Sequence, residues 1–256
     1  MITLQTIIAA VLLSQGSPTA GRHLVFSCDF RKVKEISTKD WKFNDGPVYN
    51  NELEKYASGP GQNASLTKDG LVITALKEGS KITSTRLESI KSWKYGYFEF
   101  EAKVPIGNGT WPAVWMLNER LRNPGTQERV GWPKCGEIDI MENVGFDPKN
   151  FHYSLHSGKY NWMGKLQRTK VASVEDPQAY HKFALDWRPD SIVFYQDGQD
   201  VYRVTKDEDT FDAWPFRDPF YLILNLAIGG TWGGQKGVDP KIFPSQFVIR
   251  YVKIYQ

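Results

Sequence analysis

Cysteine is the scarcest residue of this chain, which has 256 residues and only two cysteines, Cys28 and Cys135. A small scaffold held together by disulfides is therefore excluded. The two thiols could pair only if they meet in an oxidising compartment, and we expect two free, buried cysteines instead. With 41% hydrophobic and 14% aromatic residues, the chain can form a full hydrophobic core, so intrinsic disorder is excluded as well.

The chain also lacks a large excess of charge and a long apolar segment. It has 32 Lys and Arg against 29 Asp and Glu and no run of five basic residues, so neither nucleic acid nor an anionic membrane is an expected partner. No segment after residue 21 approaches the length of a transmembrane helix. Residues 1–21 combine a short apolar run, 7–13, with small residues, which predicts a signal peptide and secretion. The alternative is a disordered start, because no basic residue precedes the apolar run.

Helical periodicity is scarce too, and the recurring pattern is apolar–polar alternation over short runs separated by Gly, Pro, Asn and Asp. This pattern predicts antiparallel strands, with a hairpin turn at Asp197-Gly198. The clearest predicted strands cover residues 71–76, 95–104, 113–117, 137–144, 152–156, 181–187, 191–196, 221–228 and 247–255. The fold class is thus all-β, a single β-sandwich over residues 24–256. Two connections, 118–136 and 158–177, are predicted to be long loops, and the second is locally basic.

Three acids interrupt the most informative of these strands, in the segment 137–142. Side chains alternate between the two faces of a strand, so Glu137 and Asp139 share a face and Glu142 falls on the other. A β-bulge that takes up Met141 would return Glu142 to the face of the other two acids. We therefore predict an irregular strand with three carboxylates on one face.

Like charges on one strand face repel, so these acids are not placed there to stabilise a sheet. A second strand carries Glu99 and Glu101, but Lys103 continues that face as a compensating charge, and we interpret it as a solvated outer surface. Among the uncompensated acids, repulsion raises the pKa of one member and leaves a protonated acid beside a carboxylate, as glycoside hydrolysis requires. We expect the carboxyls of Glu137 and Glu142 to lie about 5 to 5.5 Å apart, the spacing of a retaining mechanism.

Tryptophans accompany the acid strand in the sequence. Trp111 and Trp115 lie four residues apart, and Trp132 precedes Glu137 by five residues. Sugar rings stack their apolar faces on indoles, so carboxylates near tryptophans predict a sugar cleft. We expect its platforms among Trp111, Trp115, Trp132 and Trp232, and we expect Trp41, Trp187 and Trp214 in the core.

Other catalytic schemes lack their motifs. The sequence contains no Gly-x-Ser-x-Gly, His-Glu-x-x-His or Cys-x-x-Cys. His152 and His156 share a strand face beside the acids, but a metal site would need a third ligand that the sequence does not identify. We therefore predict no metal site, and we expect His156 to hydrogen-bond near the acids.

The acid strand, with Trp132-Pro133 before it, resembles the Glu-x-Asp-x-x-Glu signature of glycoside hydrolase family 16, in the bulged form of laminarinase-like β-glucanases. Further segments resemble that family in the same order, namely 50–56, Arg86, 95–99, 111–117, 181–187 and 225–234. The resemblance implies a β-jelly-roll sandwich of two antiparallel sheets. Its concave face would form an open cleft in which an endo-acting enzyme binds a β-glucan.

The resemblance also implies roles for single residues. Glu137 would be the nucleophile and Glu142 the acid/base, while Asp139 between them would tune both. The positions that line the glycone side of the cleft in this family are matched here by Asn51, Glu52, Arg86, Trp111, Trp115 and Trp132. Family members often hold a structural calcium, partly through an Asp in the last strand, but Arg250 stands at that position here. A guanidinium cannot ligate calcium and can replace its charge, so no cofactor is expected.

Our first hypothesis is a secreted, monomeric, retaining endo-hydrolase of β-1,3- or mixed β-1,3/1,4-glucan, with the polysaccharide as its partner. One alternative is a hydrolase of red-algal galactans such as agar, porphyran or carrageenan, which the basic segment 158–177 supports because sulfated sugars need cations. The other is a non-catalytic β-glucan-binding module. The three acids argue against it, because a binding module does not need a repelling set of carboxylates.

Overall fold

The structure is a computed structural model that describes residues 18–256. The apolar run 7–13 of the predicted signal peptide lies outside these residues. The described part of the chain contains two short 3-10 helices, Glu119–Leu121 and Pro240–Ile242, and neither is long and apolar enough to cross a membrane. Its strands are β1 (Leu24–Asp29), β2 (Trp41–Phe43), β3 (Glu54–Tyr56), β4 (Ala64–Thr67), β5 (Gly70–Glu78), β6 (Lys81–Ser84), β7 (Arg86–Trp93), β8 (Gly96–Lys103), β9 (Thr110–Asn118), β10 (Glu137–Asn143), β11 (Asn150–His156), β12 (Arg168–Ser173), β13 (His181–Arg188), β14 (Ser191–Gln196), β15 (Gln199–Thr205), β16 (Phe220–Ile228) and β17 (Ser245–Tyr255).

The strands form two sheets. One, which we call the outer sheet, has ten strands in the order β15-β14-β13-β8-β17-β5-β6-β3, with β1 added beside β17 and β4 beside β5. The other, the site sheet, has seven strands in the order β12-β11-β10-β9-β16-β7-β2. The pair β3 and β6 is parallel, whereas every pair within the site sheet is antiparallel. This arrangement confirms the predicted all-β, β-jelly-roll sandwich of two mainly antiparallel sheets.

Alternation along β9 shows how one strand builds both faces of the site sheet. Val114 and Met116 are fully buried between the sheets, whereas Trp111 and Trp115 are half-buried on the opposite face. Burial of the apolar side chains between the sheets stabilises the sandwich, and the opposite face is left for the site. The predicted core tryptophans are indeed buried, together with phenylalanines of the outer sheet: Trp41, Trp187, Trp214, Phe98, Phe100, Phe183 and Phe247.

Three smaller predictions can be compared with the structure. The hairpin is confirmed, since Asp197 and Gly198, with φ of 49° and 82°, join β14 to β15 in the left-handed conformation that such turns need. Cys28 and Cys135 are buried and free, as predicted. The prediction of a long loop over 158–177 is wrong, because this segment contains β12, an edge strand of the site sheet. Most residues of that strand are exposed, so its sequence lacks the apolar alternation that marks a half-buried strand.

Candidate active site

Strand β10 contains the predicted bulge. In its pairing with β11 the register shifts between Asp139 and Glu142, so β10 has one extra residue there. In its pairing with β9, Met141 keeps Val114 as its partner and Ile140 has none. The bulge is thus confirmed, but the residue it takes up is Ile140 and not Met141. Both side chains are fully buried, so two consecutive apolar residues occupy the core side and Glu142 returns to the site face.

An indole holds each of the two glutamates. Trp132 Nε1 donates a hydrogen bond to Glu137 Oε2 at 3.0 Å. Trp111 Nε1 donates to Glu142 Oε1, also at 3.0 Å. Two of the four tryptophans expected at the cleft therefore orient the carboxylates directly, in addition to the stacking surface they offer a sugar ring.

Asp139 lies between the glutamates and is 2% exposed. His156, on the neighbouring strand β11, places Nε2 3.2 Å from Asp139 Oδ2 and 3.8 Å from Glu137 Oε1. Within residues 18–256, no other basic side chain lies within ion-pair distance of any of the three acids, and His156 reaches Glu137 and Asp139. The structure therefore brings His156 to the acids, as the strand pattern predicted, and leaves them without a lysine or arginine.

Burial raises the pKa of Glu137, Asp139 and Glu142. The charge of Asp139 raises the pKa of Glu137 further, and that of Glu142 does the same for Asp139. Repulsion alone was the cause expected from the sequence, whereas removal from water is the larger cause of these pKa shifts. Hydrogen bonding between the two carboxyls raises the pKa of Glu137 and lowers that of Asp139, so a shared proton rests on Glu137. The set therefore holds a proton at pH values where isolated carboxyls would be ionised.

The hydrogen bond from Trp111 acts in the opposite direction. It favours the ionised form of Glu142 and so lowers the pKa of that carboxyl, partly offsetting burial. His156 has the same effect through its charge. Glu142 is thus held closer to the ordinary range than burial alone would allow, which suits a group that must both donate and accept a proton.

A left-handed turn presents Asn51 and Glu52 beside the end of β16. Asn50 and Asn51 have φ of 54° and 58°, a conformation that asparagine tolerates better than most residues. Glu52 then pairs with Gly229, and Asn50 Nδ2 donates to Glu52 Oε1 at 3.4 Å. Two of the predicted substrate-binding residues are therefore fixed on one short segment.

Arg86 and Trp115 belong to a network that reaches the same segment. The guanidinium carbon of Arg86 lies 5.1 Å from the centre of the Trp115 ring. Trp115 Nε1 donates to Asn225 Oδ1 at 2.8 Å, and Asn225 Nδ2 donates to the Tyr56 hydroxyl at 3.1 Å. The Tyr56 hydroxyl in turn lies 3.5 Å from Glu52 Oε2. Asn225 and Tyr56 were not predicted as site residues, although both lie in segments that carry the family resemblance.

Glu54 is a further carboxyl beside this network, and it was not predicted as a site residue. It is 3% exposed and accepts a hydrogen bond from the backbone N–H of Ile228 at 2.7 Å. Burial, with a smaller contribution from the charge of Glu52, raises the pKa of Glu54 to about 8. Glu54 therefore keeps its proton to higher pH than an exposed glutamate does. An alternating Glu-x-Glu pattern on a strand suggests an exposed face, so the sequence contained no signal for this burial.

Trp232 reaches the site through a glycine turn. Gly229 and Gly230 have φ of 75° and 74°, and this turn brings the Trp232 ring to 5.4 Å from the ring of Trp111. The ring of His152 meets Trp232 edge-on at 4.7 Å. All four tryptophans expected at the cleft, Trp111, Trp115, Trp132 and Trp232, are half-buried and belong to this one region.

The basic segment after β11 is less basic than its sequence suggests. Lys159 pairs with Glu208, and Arg168 pairs with Asp207 at 2.6 Å. Arg168 also lies over the ring of Tyr160, with its guanidinium carbon 3.7 Å from the ring centre. Acids from distant positions in the sequence therefore neutralise two of the cations that supported a sulfated substrate.

A divalent cation is a second chemical possibility for the acid cluster. Within the described part of the chain, Glu137, Asp139 and His156 offer three ligand atoms that all lie within 4.8 Å of one another. This group contains His156 but not His152, so it differs from the two-histidine site considered from the sequence. The same closeness serves proton sharing without any ion.

Comparison with known proteins identifies the family. Residues 50–253 match the sequence profile of glycosyl hydrolases family 16. This chain belongs to glycosyl hydrolases family 16. Among its relatives in the family, the beta-glucanase of Rhodothermus marinus is 40% identical over 248 residues, which cover 91% of this chain and 85% of that protein.

Solved structures of family 16 enzymes share this fold. The laminarinase of Flavobacterium sp. UMI-01 superposes with a TM-score of 0.83 at 40% identity, covering 91% of this chain and all of that one. SCLam, a non-specific endo-β-1,3(4)-glucanase, gives the same TM-score at 36% identity, covering 92% and 91% of the two chains. The jelly-roll sandwich inferred from the two sheets is therefore the fold of the family.

Proposed function

We propose that this family 16 protein is a retaining endo-hydrolase of β-1,3- or mixed β-1,3/1,4-glucan. The observation that carries the proposal is the bulge in β10, which places Glu137, Asp139 and Glu142 on one face between the indoles of Trp132 and Trp111. Two carboxyls held by donors, with a third sharing a proton, are what a double displacement at a sugar carbon needs.

In the first step Glu137 is the nucleophile. Its carboxylate attacks the anomeric carbon while Glu142 donates a proton to the departing glycosidic oxygen, which leaves a covalent glycosyl-enzyme. Before it attacks, Glu137 passes the proton that the two acids share to Asp139, so that Glu137 reacts as an anion. In the second step Glu142 takes a proton from water, which attacks the same carbon and frees Glu137. Two inversions keep the β configuration.

We also propose a neutral glucan as substrate, a secreted location and a monomeric state. The pairing of Lys159 and Arg168 with acids supports the neutral substrate, because a sulfated galactan would need those cations free. The signal-like segment at residues 1–21 supports secretion.

No metal takes part in the proposed mechanism. Arg250 Nη1 lies 3.1 Å from Glu101 Oε2, and its guanidinium carbon lies 3.5 Å from the centre of the Tyr180 ring. A cation already occupies that position, so its surroundings do not fit the calcium of other family members. EDTA would remove a divalent metal ion from the acid cluster. Activity that survives EDTA would therefore support a mechanism without a metal.

Parallel digestion tests the function. Laminarin, barley mixed-linkage glucan, agarose and porphyran are incubated with the protein, and the products are separated by size while proton NMR follows the first turnovers. We expect internal cleavage of one or both glucans and a β-anomer as the initial product. Cleavage of agarose or porphyran alone would establish the galactan alternative. Binding of laminarin without any cleavage would establish the binding module.

A further inference from the structure

Two carboxyls share one face of the short segment that runs into β3. Side chains alternate along an extended chain, so Glu52 and Glu54 lie on the same face, whereas Leu53 between them is 55% exposed on the other. Glu52 is half-buried and Glu54 is buried. The proposed catalytic steps use neither carboxyl, so the reason for a pair of acids at this place is open.

The surroundings of Glu54 favour a protonated carboxyl. Its Oε2 accepts from the backbone N–H of Ile228 at 2.7 Å, whereas Oε1 is buried and accepts no hydrogen bond from residues 18–256. Within the same residues, no basic side chain lies at ion-pair distance from Glu54, and the guanidinium of Arg86 pairs with Glu88 at 3.1 Å. A buried carboxylate with one donor and no cation is costly, so Glu54 keeps a proton.

Hydrogen bonding connects the two acids. Burial raises the pKa of Glu52, and hydrogen bonds from Asn50 and Glu54 partly offset this rise. Burial, followed by the charge of Glu52, raises the pKa of Glu54 to about 8. The proton of the pair therefore rests on Glu54, and Glu52 is the member that ionises first.

The other charged and titratable groups around the pair do not change this assignment. Burial holds the pKa of Tyr56, on the same strand, well above its usual range, so Tyr56 keeps its own proton. The charge of Arg86, on β7, favours the ionised form of Glu52. Strand β6 places Ile82 opposite Glu54, and β16 contributes a backbone N–H, so neither of these strands adds a charge.

Glu52 faces the acid/base across the glycine turn that follows β16. A Cβ atom at Gly230 would lie 3.2 Å from Cγ of Glu52 and 3.3 Å from Cζ3 of Trp111, so both side chains converge on this glycine. Trp111 is the indole that donates to Glu142. Burial raises the pKa of Glu142, and the charge of Glu52 raises it further. The carboxylate of Glu52 therefore lies in the cleft, beside the group that protonates the glycosidic oxygen.

We propose that Glu54 is a positioning residue that donates a hydrogen bond to Glu52 and so holds Glu52, as an ionised acceptor, for a sugar hydroxyl in the cleft. The inference rests on the proposed glucanase function and adds to it the group that keeps this acceptor in place. Glu52 needs such a donor, because Asn50 Nδ2 and the Tyr56 hydroxyl lie 3.4 Å and 3.5 Å from its oxygens, which is long for a hydrogen bond.

Binding to an inactive variant tests this role apart from catalysis. Glu137→Gln serves as the parent, and its Kd for laminarihexaose is measured by isothermal titration calorimetry from pH 6.5 to pH 9. With a pKa of about 8, about one tenth of the molecules keep the proton of Glu54 at pH 9. Since only these molecules hold Glu52 in place, the Kd of the parent should rise about tenfold over this range.

The decisive variant adds Glu54→Gln to the parent. The amide can donate to Glu52 and accept from the N–H of Ile228, as the protonated acid does, but it cannot ionise. The Kd should therefore stay within about threefold of the parent at pH 6.5 and should not rise toward pH 9. Glu78 is exposed on β5, so the matched control Glu78→Gln should keep the full tenfold rise.

A second variant tests the acceptor itself. Glu52→Gln, again in the parent, replaces the charged acceptor by a neutral one and should raise the Kd at pH 6.5 about tenfold, the usual worth of a hydrogen bond to a charged group. Circular dichroism of each variant checks the fold. A merely structural role of Glu54 would change the thermal midpoint of Glu54→Gln without changing how its Kd depends on pH.

Each contrary outcome identifies what failed. An equal rise of Kd toward pH 9 with and without Glu54→Gln would assign the pH dependence to another group and overturn the inference. A constant Kd in the parent, or an unchanged Kd in Glu52→Gln at pH 6.5, would overturn it as well. If the wild type cleaves neither laminarin nor mixed-linkage glucan but the parent binds laminarihexaose with the expected pH dependence, the glucanase proposal fails and the role of Glu54 in binding stands.

Discussion

Two strands of this protein carry acids at alternating positions, and only one of them lies in the proposed active site. On β8, Glu101 pairs with Arg250 at 3.1 Å, and Glu99 accepts from the Tyr251 hydroxyl at 2.9 Å. On β10, the two glutamates accept hydrogen bonds from indole N–H groups, and Asp139 lies beside His156. The side chains of Glu99 and Glu137 are both 16% exposed, so exposure does not separate the strands. The partners of the acids separate them. An acid paired with a cation stabilises a sheet, whereas an acid without such a cation is available for chemistry.

The cations that pair with the two acids of β8 are not the one that the sequence suggested. Lys103 was expected to balance Glu99 and Glu101 along the strand. Arg250, on the neighbouring strand β17, binds Glu101 instead, and Lys182 on β13 lies 3.9 Å from Glu99. Neighbouring strands bring side chains closer than positions two apart on one strand, so cross-strand partners decide the charge balance of a sheet face.

The largest effect should come from the nucleophile. Glu137→Gln should lower kcat by a factor on the order of 10⁴ or more, because an amide cannot attack the anomeric carbon, while the fold and glucan binding persist. Glu101→Gln, the matched change on β8, should stay within about twofold of wild type. Steady-state kinetics on laminarin and circular dichroism check both variants.

Azide distinguishes a lost nucleophile from a damaged site. In Glu137→Ala, added azide should cleave β-laminaribiosyl fluoride and give an α-glycosyl azide, since a single displacement inverts the carbon once. Full activity in a clean Glu137→Gln preparation, or an equal loss in Glu101→Gln, would remove the distinction between the strands.

Asp139→Asn should have the next largest effect, a loss of roughly 10²–10⁴ in rate, the range of a positioned proton-transfer group. The change removes the carboxyl whose charge and shared proton raise the pKa of Glu137, but it keeps the size of the side chain. The pKa of the nucleophile should therefore fall, because a like charge beside it is gone. The acidic limb of the kcat/KM profile, where Glu137 ionises, should move to lower pH. An unshifted limb with a near-wild-type rate would show that Asp139 is only part of the strand face.

Trp111→Phe should act on the alkaline limb of the same profile, where Glu142 titrates. The indole hydrogen bond lowers the pKa of Glu142, and phenylalanine keeps the ring but has no donor. The pKa of Glu142 should therefore rise and the alkaline limb should move to higher pH, with a loss of about tenfold in kcat/KM, the usual worth of a hydrogen bond to a charged group. A shift toward lower pH would mean that Glu142 is not the titrating acid.

The smallest effect is expected on the compensated strand. Arg250→Met removes the ion pair with Glu101 and the contact with Tyr180, which should lower Tm by roughly 2–4 °C, the shift expected for about 1 kcal/mol in a domain of this size. The kcat/KM for laminarin should not change. Differential scanning calorimetry with calcium and with EDTA extends the test. If calcium raises the Tm of the wild type, Arg250 does not stand in for a metal.

Much of the fold and part of the site could be predicted from the sequence. The period-two alternation identified the core faces of the main strands, and the spacing of Glu137, Asp139 and Glu142 required a bulge once all three had to share a face. The residue taken up was assigned wrongly, because Ile140 and Met141 are both apolar and only the pairing with β9 distinguishes them. β12 was missed for a similar reason, since an exposed edge strand has no apolar face to reveal it.

The sequence by itself determined the residue types that can act and their order along the chain: three acids on one strand, indoles near them, and a sandwich in which one sheet face stays free. Only the tertiary structure decided their surroundings. Several features join segments far apart in sequence. They are the raised pKa of buried Glu54, the hydrogen bond between Asn225 and Tyr56, the ion pair of Arg168 with Asp207, and the contact between Trp162 and Trp132. Burial and pairing depend on what packs against a side chain, and local periodicity carries no information about a partner a hundred residues away.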